Sequence, residues 1–505
     1  MKRVLPIRLS SKYRSKVKRF VYDLAQFQNL LRLFALEWNR KTGNIFKLFN
    51  QSLLYSLLAD KVRSNKSGWQ KKELEEVKGV IEHDEELKKW IVLLKEQKRK
   101  VRNAVACQSV IIQEVNNLKS WIRALREYKK SQEKFRGRPG LPRPRKLRDL
   151  IRFSVPVRFE RDGKRLILIL KAGDIECKAE KVEVLLPNWF DYQVKEVKLI
   201  YDMGWVEVQV VYDKELKVEC NGSYQAGVDV GLDNLLSVVS DNPGLRSFIV
   251  SGKELKSYNR WFNKKRAEIN SHIDLVKNMV KDEKNEERKK DLEKHYWWLK
   301  KYFWNLCKMR ERKLSTWMHQ ITRRLADLLY ETGHRKIYIG KEGIDKDGIS
   351  LGKVVNQNYV SIPHRRLVNM LRYKCEELGI EVEEVDERYT SKSSPISDDV
   401  VEIQSRKKNG EEVEFSGKRV KRGLYKDLVL GKVFNADLVG AMNILKIGAK
   451  LREVMLSIKT LLIKLCNPVR FKLFDLIYKS NPESLLARVG IGNSMPVLAQ
   501  EALAP

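Results

Sequence analysis

Two short stretches carry the residues best able to do chemistry. Gly227-Val228-Asp229-Val230-Gly231-Leu232 sets one carboxylate in an apolar run, then a glycine turn leads to a second run, Leu235-Leu236-Ser237-Val238-Val239-Ser240. Far along the chain, Phe434-Asn435-Ala436-Asp437-Leu438-Val439-Gly440-Ala441-Met442-Asn443-Ile444-Leu445 reads as an apolar helix opened by one acidic residue. A buried strand Asp needs a partner or a metal to stay ionised. A helix-start Asp has a plainer role available, in meeting the helix dipole. Taken together they supply hard oxygen donors of the kind that hold two divalent ions for phosphodiester hydrolysis. Such a centre needs at least one more carboxylate.

The elements that must position these residues follow from periodicity. Val4 to Leu9 reads as an edge strand, where Pro6 is tolerated. From Ser11 to Lys130 the pattern is helical, with Leu24, Phe27, Leu30, Leu31, Phe34 and Trp38 at three- and four-residue steps. The Pro/Gly/Arg segment Phe135 to Lys146 breaks it; its arginines fit either a phosphate backbone or a solvated linker. Strand-like runs follow at 151–157, 165–171, 181–186, 194–201 and 205–212, with turn chemistry at Asp162-Gly163 and Met203-Gly204. From Ala226 strands alternate with helices. Lys256 to Tyr330 suits two long antiparallel helices, Lys336 to Gly340 a strand, Pro363 to Leu378 a helix, Ile380 to Glu387 a strand and Asn435 to Ile447 a helix. Asp398 to Leu430 is polar and poorly patterned, and the C-terminal stretch reads as helical to about Tyr478.

Composition narrows the partners. Lys and Arg number 100 against 65 Asp and Glu, a net charge of +35, of which the first 150 residues carry +22. A thermophile surface would raise both signs together; an excess of this size points to polyanion, and so to nucleic acid. The cysteines (107, 177, 220, 307, 375 and 466) form no C-x-x-C pair, which argues against a disulfide framework and a Cys-ligated zinc site. No apolar run reaches membrane-span length and no signal-peptide core stands at the N-terminus, so a cytoplasmic protein with no membrane partner is expected.

Several motifs together resemble TnpB, the RNA-guided DNA endonuclease family of insertion sequences, related to the compact type V CRISPR effectors. The residues that carry the resemblance are Gly227 to Asp233, Asn356 to Arg366, Tyr389-Thr390-Ser391-Lys392 and Phe434 to Leu445, with Lys253 to Lys265 and His319 to Leu325 beside them. It is dense from Ala226 to Lys446 and thinner in the N-terminal half. Two departures stand out. Many relatives carry Glu where this chain has Gly340, and many carry a four-cysteine zinc ribbon where this chain has no cysteine between Cys375 and Cys466.

Glu387, at the end of the next strand, is the candidate replacement for the absent Glu, since some branches of the family use this position. Adjacent strands lie about 4.8 Å apart, a gap a Glu side chain largely spans, and Gly340 leaves the space between unfilled. A salt bridge to Arg388 or Lys392 is the plainer role for Glu387, and Glu342 is a competing ligand. The resemblance implies a multidomain α+β protein. A first strand (1–10) and residues 151–224 form a small β-barrel (wedge) domain. The helical recognition region 11–130 and linker 131–150 are inserted in it. An RNase H-like (RuvC) nuclease domain at 225–392 follows, with a helical insertion at 256–330. Then come a cysteine-free ribbon-like segment at 393–430, the last RuvC motif at 431–450 and a helical tail at 451–505. It implies magnesium-dependent, RNA-guided cutting of double-stranded DNA beside a short flanking motif. Asp229, Glu387 and Asp437 would hold two Mg²⁺ ions, for which Mn²⁺ also serves, and no structural zinc is expected. The protein would be nucleoid-associated when bound to DNA. A nuclease-dead RNA-guided repressor and a transposase without guide RNA are the alternatives.

Overall fold

The structure is a computed structural model and describes residues 2–45, 50–59, 68–144, 152–173, 178–215, 220, 222–341, 362–396, 400–408, 410–421, 423–449, 457–476 and 482–490. The chain divides into two compact units, 1–215 and 216–505. Among the described residues no helix is long and apolar enough to cross a membrane.

The first unit opens with β1 (Lys2–Arg8), runs through helices α1 (Arg14–Thr42), α2 (Gln51–Leu57), α3 (Gly68–Glu82), α4 (Glu85–Val101) and α5 (Ala104–Lys130), and returns to β2 (Arg152–Pro156), β3 (Arg158–Asp162), β4 (Arg165–Lys171), β5 (Glu180–Leu185), β6 (Val194–Asp202) and β7 (Trp205–Asp213). β1 lies at a sheet edge, antiparallel to β7, with Pro6 opposite Gln209. An edge position is where a residue without an N–H costs no ladder bond. The five helices therefore lie in sequence between two strands of one sheet, of order β1-β7-β6-β2. A second antiparallel sheet, β3-β4-β5, is separate from it, and among the described residues no ladder closes the two into a barrel. β3 is the strand that periodicity passes over: its sequence RFERD is largely exposed and has no apolar alternation to read. Buried pairs tie helices to strands. Lys171 donates to Asp23 at 2.7 Å, and Asn103 Nδ2 donates to the carbonyls of Ile169 and Leu170 at 3.0 Å each.

The second unit is built on a six-stranded sheet. It contains β8 (Tyr224–Asp229), β9 (Asn234–Ser240), β10 (Phe248–Ser251), the helical hairpin α6 (Lys253–Asp282) and α7 (Glu286–Glu331), then β11 (His334–Gly340), α8 (His364–Glu377) and β12 (Glu381–Val385). α9 (Val400–Lys408), β13 (Gly417–Lys421), β14 (Leu424–Asp427), β15 (Val433–Asn435), α10 (Ala436–Gly448), α11 (Ile458–Cys466), β16 (Val469–Phe471) and α12 (Pro482–Val489) complete it. The strand order is β12-β11-β8-β9-β10-β16. β8, β9 and β10 form an antiparallel meander, while β11 and β12 join in parallel and β16 runs parallel to β10. β16 corrects the expectation of an all-helical C-terminal stretch: three residues, two of them buried, complete the sheet edge. The polar segment after residue 398 also gains structure, as α9 and the hairpin β13–β14, which pairs on to β15.

α10 packs directly on β8. A Cβ built on Gly227 would overlap the carbonyl oxygen of Ala441 and lie 2.7 Å from the amide nitrogen of Leu445. Only glycine permits that approach. α10 is capped by Asn435, whose Oδ1 accepts from the amides of Asp437 (3.1 Å) and Leu438 (3.2 Å), an arrangement whose loss costs about 1 kcal/mol.

Candidate metal centre

Three carboxylates converge at one end of this sheet. Asp229 ends β8, Asp437 is the second residue of α10, and Glu387 stands two residues beyond β12 rather than inside it. The register explains how they meet. Val228 pairs with Ile339 on β11, so Asp229 lies level with Gly340, and Gly340 in turn pairs with Val385 on β12. Glu387 is thus two strands from Asp229, with Gly340 between them. A Cβ on Gly340 would overlap Glu387 Oε2 and come within 2.9 Å of its Cδ. The Glu387 carboxylate occupies the volume a side chain at Gly340 would need. On the other side, a Cβ on Gly440 would lie 3.1 Å from Asp229 Oδ2, so α10 approaches the carboxylate closely there too.

The electrostatics match the geometry. The Asp229 carboxyl is pushed up to about 8, first by burial and then by the negative charges of Asp437 and Glu387, with Arg419 and the Val230 amide pulling the other way. The residue as a whole is half-buried, but its carboxyl group is set in dense protein. Like charges gathered in a poorly solvated place raise one another's proton affinity, and a divalent cation reverses that balance. Among the described residues no three His, Cys, Asp or Glu side chains are already drawn together as a ligand cage. The donor set itself, carboxylate oxygens from three separate elements, fits a hard divalent ion.

Asp437 is held by groups that its own helix does not supply. Asn234 Nδ2, at the start of β9, donates to Asp437 Oδ2 at 2.5 Å, and Arg419 on β13 stands 4.0 Å from Oδ1. Sequence reasoning missed both. Asn234 lies in the glycine turn after Asp229, where an amide invites a turn reading, and Arg419 falls in the segment with no periodic pattern. The competing ligand Glu342 lies outside the described residues, as does most of the motif Asn356 to Arg366. The alternative role for Glu387, a salt bridge to Arg388, meets competition, because the Arg388 guanidinium is already engaged by Asp386 at 2.5 Å.

The chain just after Glu387 is fastened to α10. Asn443 is fully buried and its Nδ2 donates to the carbonyls of Thr390 (2.7 Å) and Ser393 (2.9 Å). Thr390 Oγ1 donates to the Glu387 carbonyl at 2.8 Å. The region without cysteines has its own buried polar centre. Asp427 accepts from the Ser394 hydroxyl and from the Leu430 amide (2.7 Å), while Tyr425 donates to the Lys392 carbonyl at 3.1 Å.

Asp437 opens on to a cleft of about 1170 Å³, much larger than an ion requires. Its lining includes Lys253, Lys256, Arg260, Lys264, Arg419 and Arg470 against Asp233 and Asp437. The cleft is therefore strongly cationic around the acidic centre, a distribution suited to a polyanion.

The chain is similar to several known proteins. A family model described as "Cas12f1-like, TNB domain" matches residues 364–444, the stretch that includes Glu387 and Asp437. The chain is 25% identical over 340 residues to "TnpB-like protein ORF457" of Acidianus two-tailed virus; the match spans 63% of this chain and 66% of that protein, just under two thirds of its length. Two solved structures are distantly similar. One is the Cas12f1-sgRNA-target DNA complex, at 16% identity over 88% of this chain and 99% of that one, with a TM-score of 0.30. The other is the CRISPR-Cas12f ternary complex, at 15% identity over 86% and 85%, with a TM-score of 0.31. Residues 364–444 are thus similar to the Cas12f1-like TNB domain, and 63% of the chain is similar to a TnpB-like protein.

Proposed function

We propose that the protein is an RNA-guided DNA endonuclease of transposon origin, cutting DNA matched to a guide RNA by two-metal phosphodiester hydrolysis. The observation that carries this reading is the occupation by the Glu387 carboxylate of the Gly340 space, level with Asp229, whose carboxyl feels the charges of both Glu387 and Asp437. Asp229, Glu387 and Asp437 would hold magnesium, with manganese as a substitute. Divalent ions held by these carboxylates would supply activation of the attacking water and stabilisation of the leaving oxygen. To hold a metal, Asp229 would have to give up the proton that burial and the charges of Asp437 and Glu387 favour, its carboxyl being pushed up to about 8. Asn234 fixes one oxygen of Asp437, leaving the other to face the cleft and Arg419.

Sequence is read by pairing between guide and target, with the protein gripping the heteroduplex by backbone and shape. The basic helices α1–α5 and the first unit's strands serve that grip and the short flanking motif. In the segment 393–430 the reading includes no structural zinc; Ser394 donates to Asp427 there, and Tyr425 donates to the Lys392 carbonyl.

The deciding experiment incubates purified protein, its co-purifying RNA and magnesium with matched and mismatched duplex DNA. Cutting of matched DNA alone, lost in Asp437→Ala, supports the reading. Matched binding without cutting makes the protein a repressor, and DNA processing with no RNA present makes it a transposase.

A further inference from the structure

The outward face of α6 does not take part in the metal centre, yet it forms one wall of the cleft that Asp437 opens on to. The cleft-lining residues of this helix are Lys253, Lys256, Ser257, Arg260, Asn263 and Lys264. Their spacing of three and four residues places them on one helical face. The opposite face is the packed one, with Leu255, Asn259, Phe262, Ile269 and Ile273 buried. Lys256, Arg260 and Lys264 follow one another at four-residue steps, which raises a positive charge about every 6 Å along the helix axis. Lys256 is fastened to Asp233 at 2.7 Å, and Asp233 adjoins Asn234, the residue that holds Asp437.

Trp261 stands one step round the helix from this face, beside Ser257 and Lys264. It is 46% exposed although it is among the largest apolar side chains of the chain. One face of its indole is backed by Tyr258, stacked at 5.5 Å and 22°, and Tyr258 is braced edge-on against buried Trp317. The result is a flat aromatic surface held rigid from behind, at the rim of a cationic cleft. A row of cations flanked by a supported aromatic face suits a single strand, whose phosphates meet the charges and whose unstacked bases meet the ring. A duplex keeps its bases stacked on one another and offers no free face to Trp261.

We propose that this face of α6 is a single-strand track: Lys253, Arg260 and Lys264 bind phosphates of one DNA strand, Trp261 stacks one of its bases, and the track delivers that strand to the Asp229–Glu387–Asp437 centre. The proposal rests on the nuclease reading above and names how its substrate is held. The residues of the track are positioning residues, since none touches the reacting atoms.

The test uses the full chain with its co-purified RNA in chelator, and a fluorescent single-stranded DNA or the same sequence as duplex, titrated across a series of salt concentrations. For the triple variant Lys253→Gln, Arg260→Gln, Lys264→Gln, the single-strand slope of log affinity against log salt should shrink by about 2, three phosphate contacts at about 0.7 each. Trp261→Ala should weaken single-strand binding roughly tenfold with the slope unchanged. Duplex binding should move little in either variant. Lys253→Arg with Lys264→Arg, which keeps the charge, should bind as the parent does, and matching melting curves exclude misfolding. In magnesium the track variants should raise KM for cutting more than they lower kcat. An unchanged single-strand slope overturns the track, and so does equal weakening of duplex, which would mark a general polyanion surface. If the parent and the track variants bind as described while the parent cuts nothing, the nuclease reading falls and the track stands.

Discussion

The carboxylate of Glu387 fills the side-chain space of Gly340. Gly340 ends β11 and Glu387 stands two residues beyond the neighbouring β12, and a methyl group on Gly340 would overlap the Glu387 oxygen that faces it. On the proposed metal reading, a ligand moved one strand along the sheet requires a glycine at the place it left. Glu387→Ala should lower magnesium-dependent cutting by on the order of 100-fold or more, the loss expected when a ligand of a metal site is removed. Gly340→Ala in the native background should also impair cutting, by displacing the carboxylate. Gly340→Glu added to Glu387→Ala should recover part of the lost rate. Parent-like cutting by Glu387→Ala would remove Glu387 from the site.

Asp229 ties the centre to stability. Its carboxyl takes a proton at about 8 in the folded protein against 3.8 ordinarily. Between those values the folded state binds more protons than the unfolded one, so this group makes stability fall as pH rises from about 4 to about 8. In chelator the second unit should melt at a lower temperature at pH 8 than at pH 6, and magnesium should offset the difference. Asp229→Asn should raise the melting temperature in chelator at pH 8 by a few degrees and abolish cutting. Calorimetry at the two pH values checks this; identical melting of parent and Asp229→Asn would sink it.

Asn234 has no catalytic atom to offer, but it fixes Asp437 Oδ2. Partners that orient metal ligands are worth about 10- to 100-fold in affinity or activity. Asn234→Ala should therefore raise the magnesium concentration needed for half-maximal cutting by about tenfold, with matched-DNA binding in chelator unchanged. A loss of DNA binding instead would assign Asn234 to the substrate.

Asn443 acts from behind. Removing its amide would strand the buried carbonyls of Thr390 and Ser393. Asn443→Ala should cost about 1–3 kcal/mol in the stability of the second unit and blur the position of Glu387, which is joined to Thr390 by a hydrogen bond. Urea melts of the full chain measure the first effect, and the metal requirement for cutting measures the second.

What the sequence disclosed and what it hid follow from the range of the interactions. Asp229 and Asp437 were readable because each sits in a local signal, a strand before a glycine turn and a capped helix start. α6 and α7 were readable from periodicity, as was β1 from an apolar run that tolerates proline at an edge. Glu387 came into view through family resemblance, since nothing local distinguishes it from the neighbouring Glu383 and Glu384. Asn234 was invisible because it meets Asp437 across 203 positions of chain, and Arg419 because its segment has no periodic pattern. β3 and β16 escaped because one is exposed and polar and the other is three residues long.

That last strand sets the timing of the whole assembly. β16 pairs with β10, and Lys464 just before it donates to the carbonyls of Asn242 and Leu245 at 2.7 Å each. A nascent chain can form the β8–β9–β10 meander early, but it carries an uncovered strand edge until residue 471 has been made. An uncovered edge is a template for pairing with another chain. Synthesis through residue 471 therefore closes that route to aggregation, after all three carboxylates have been made.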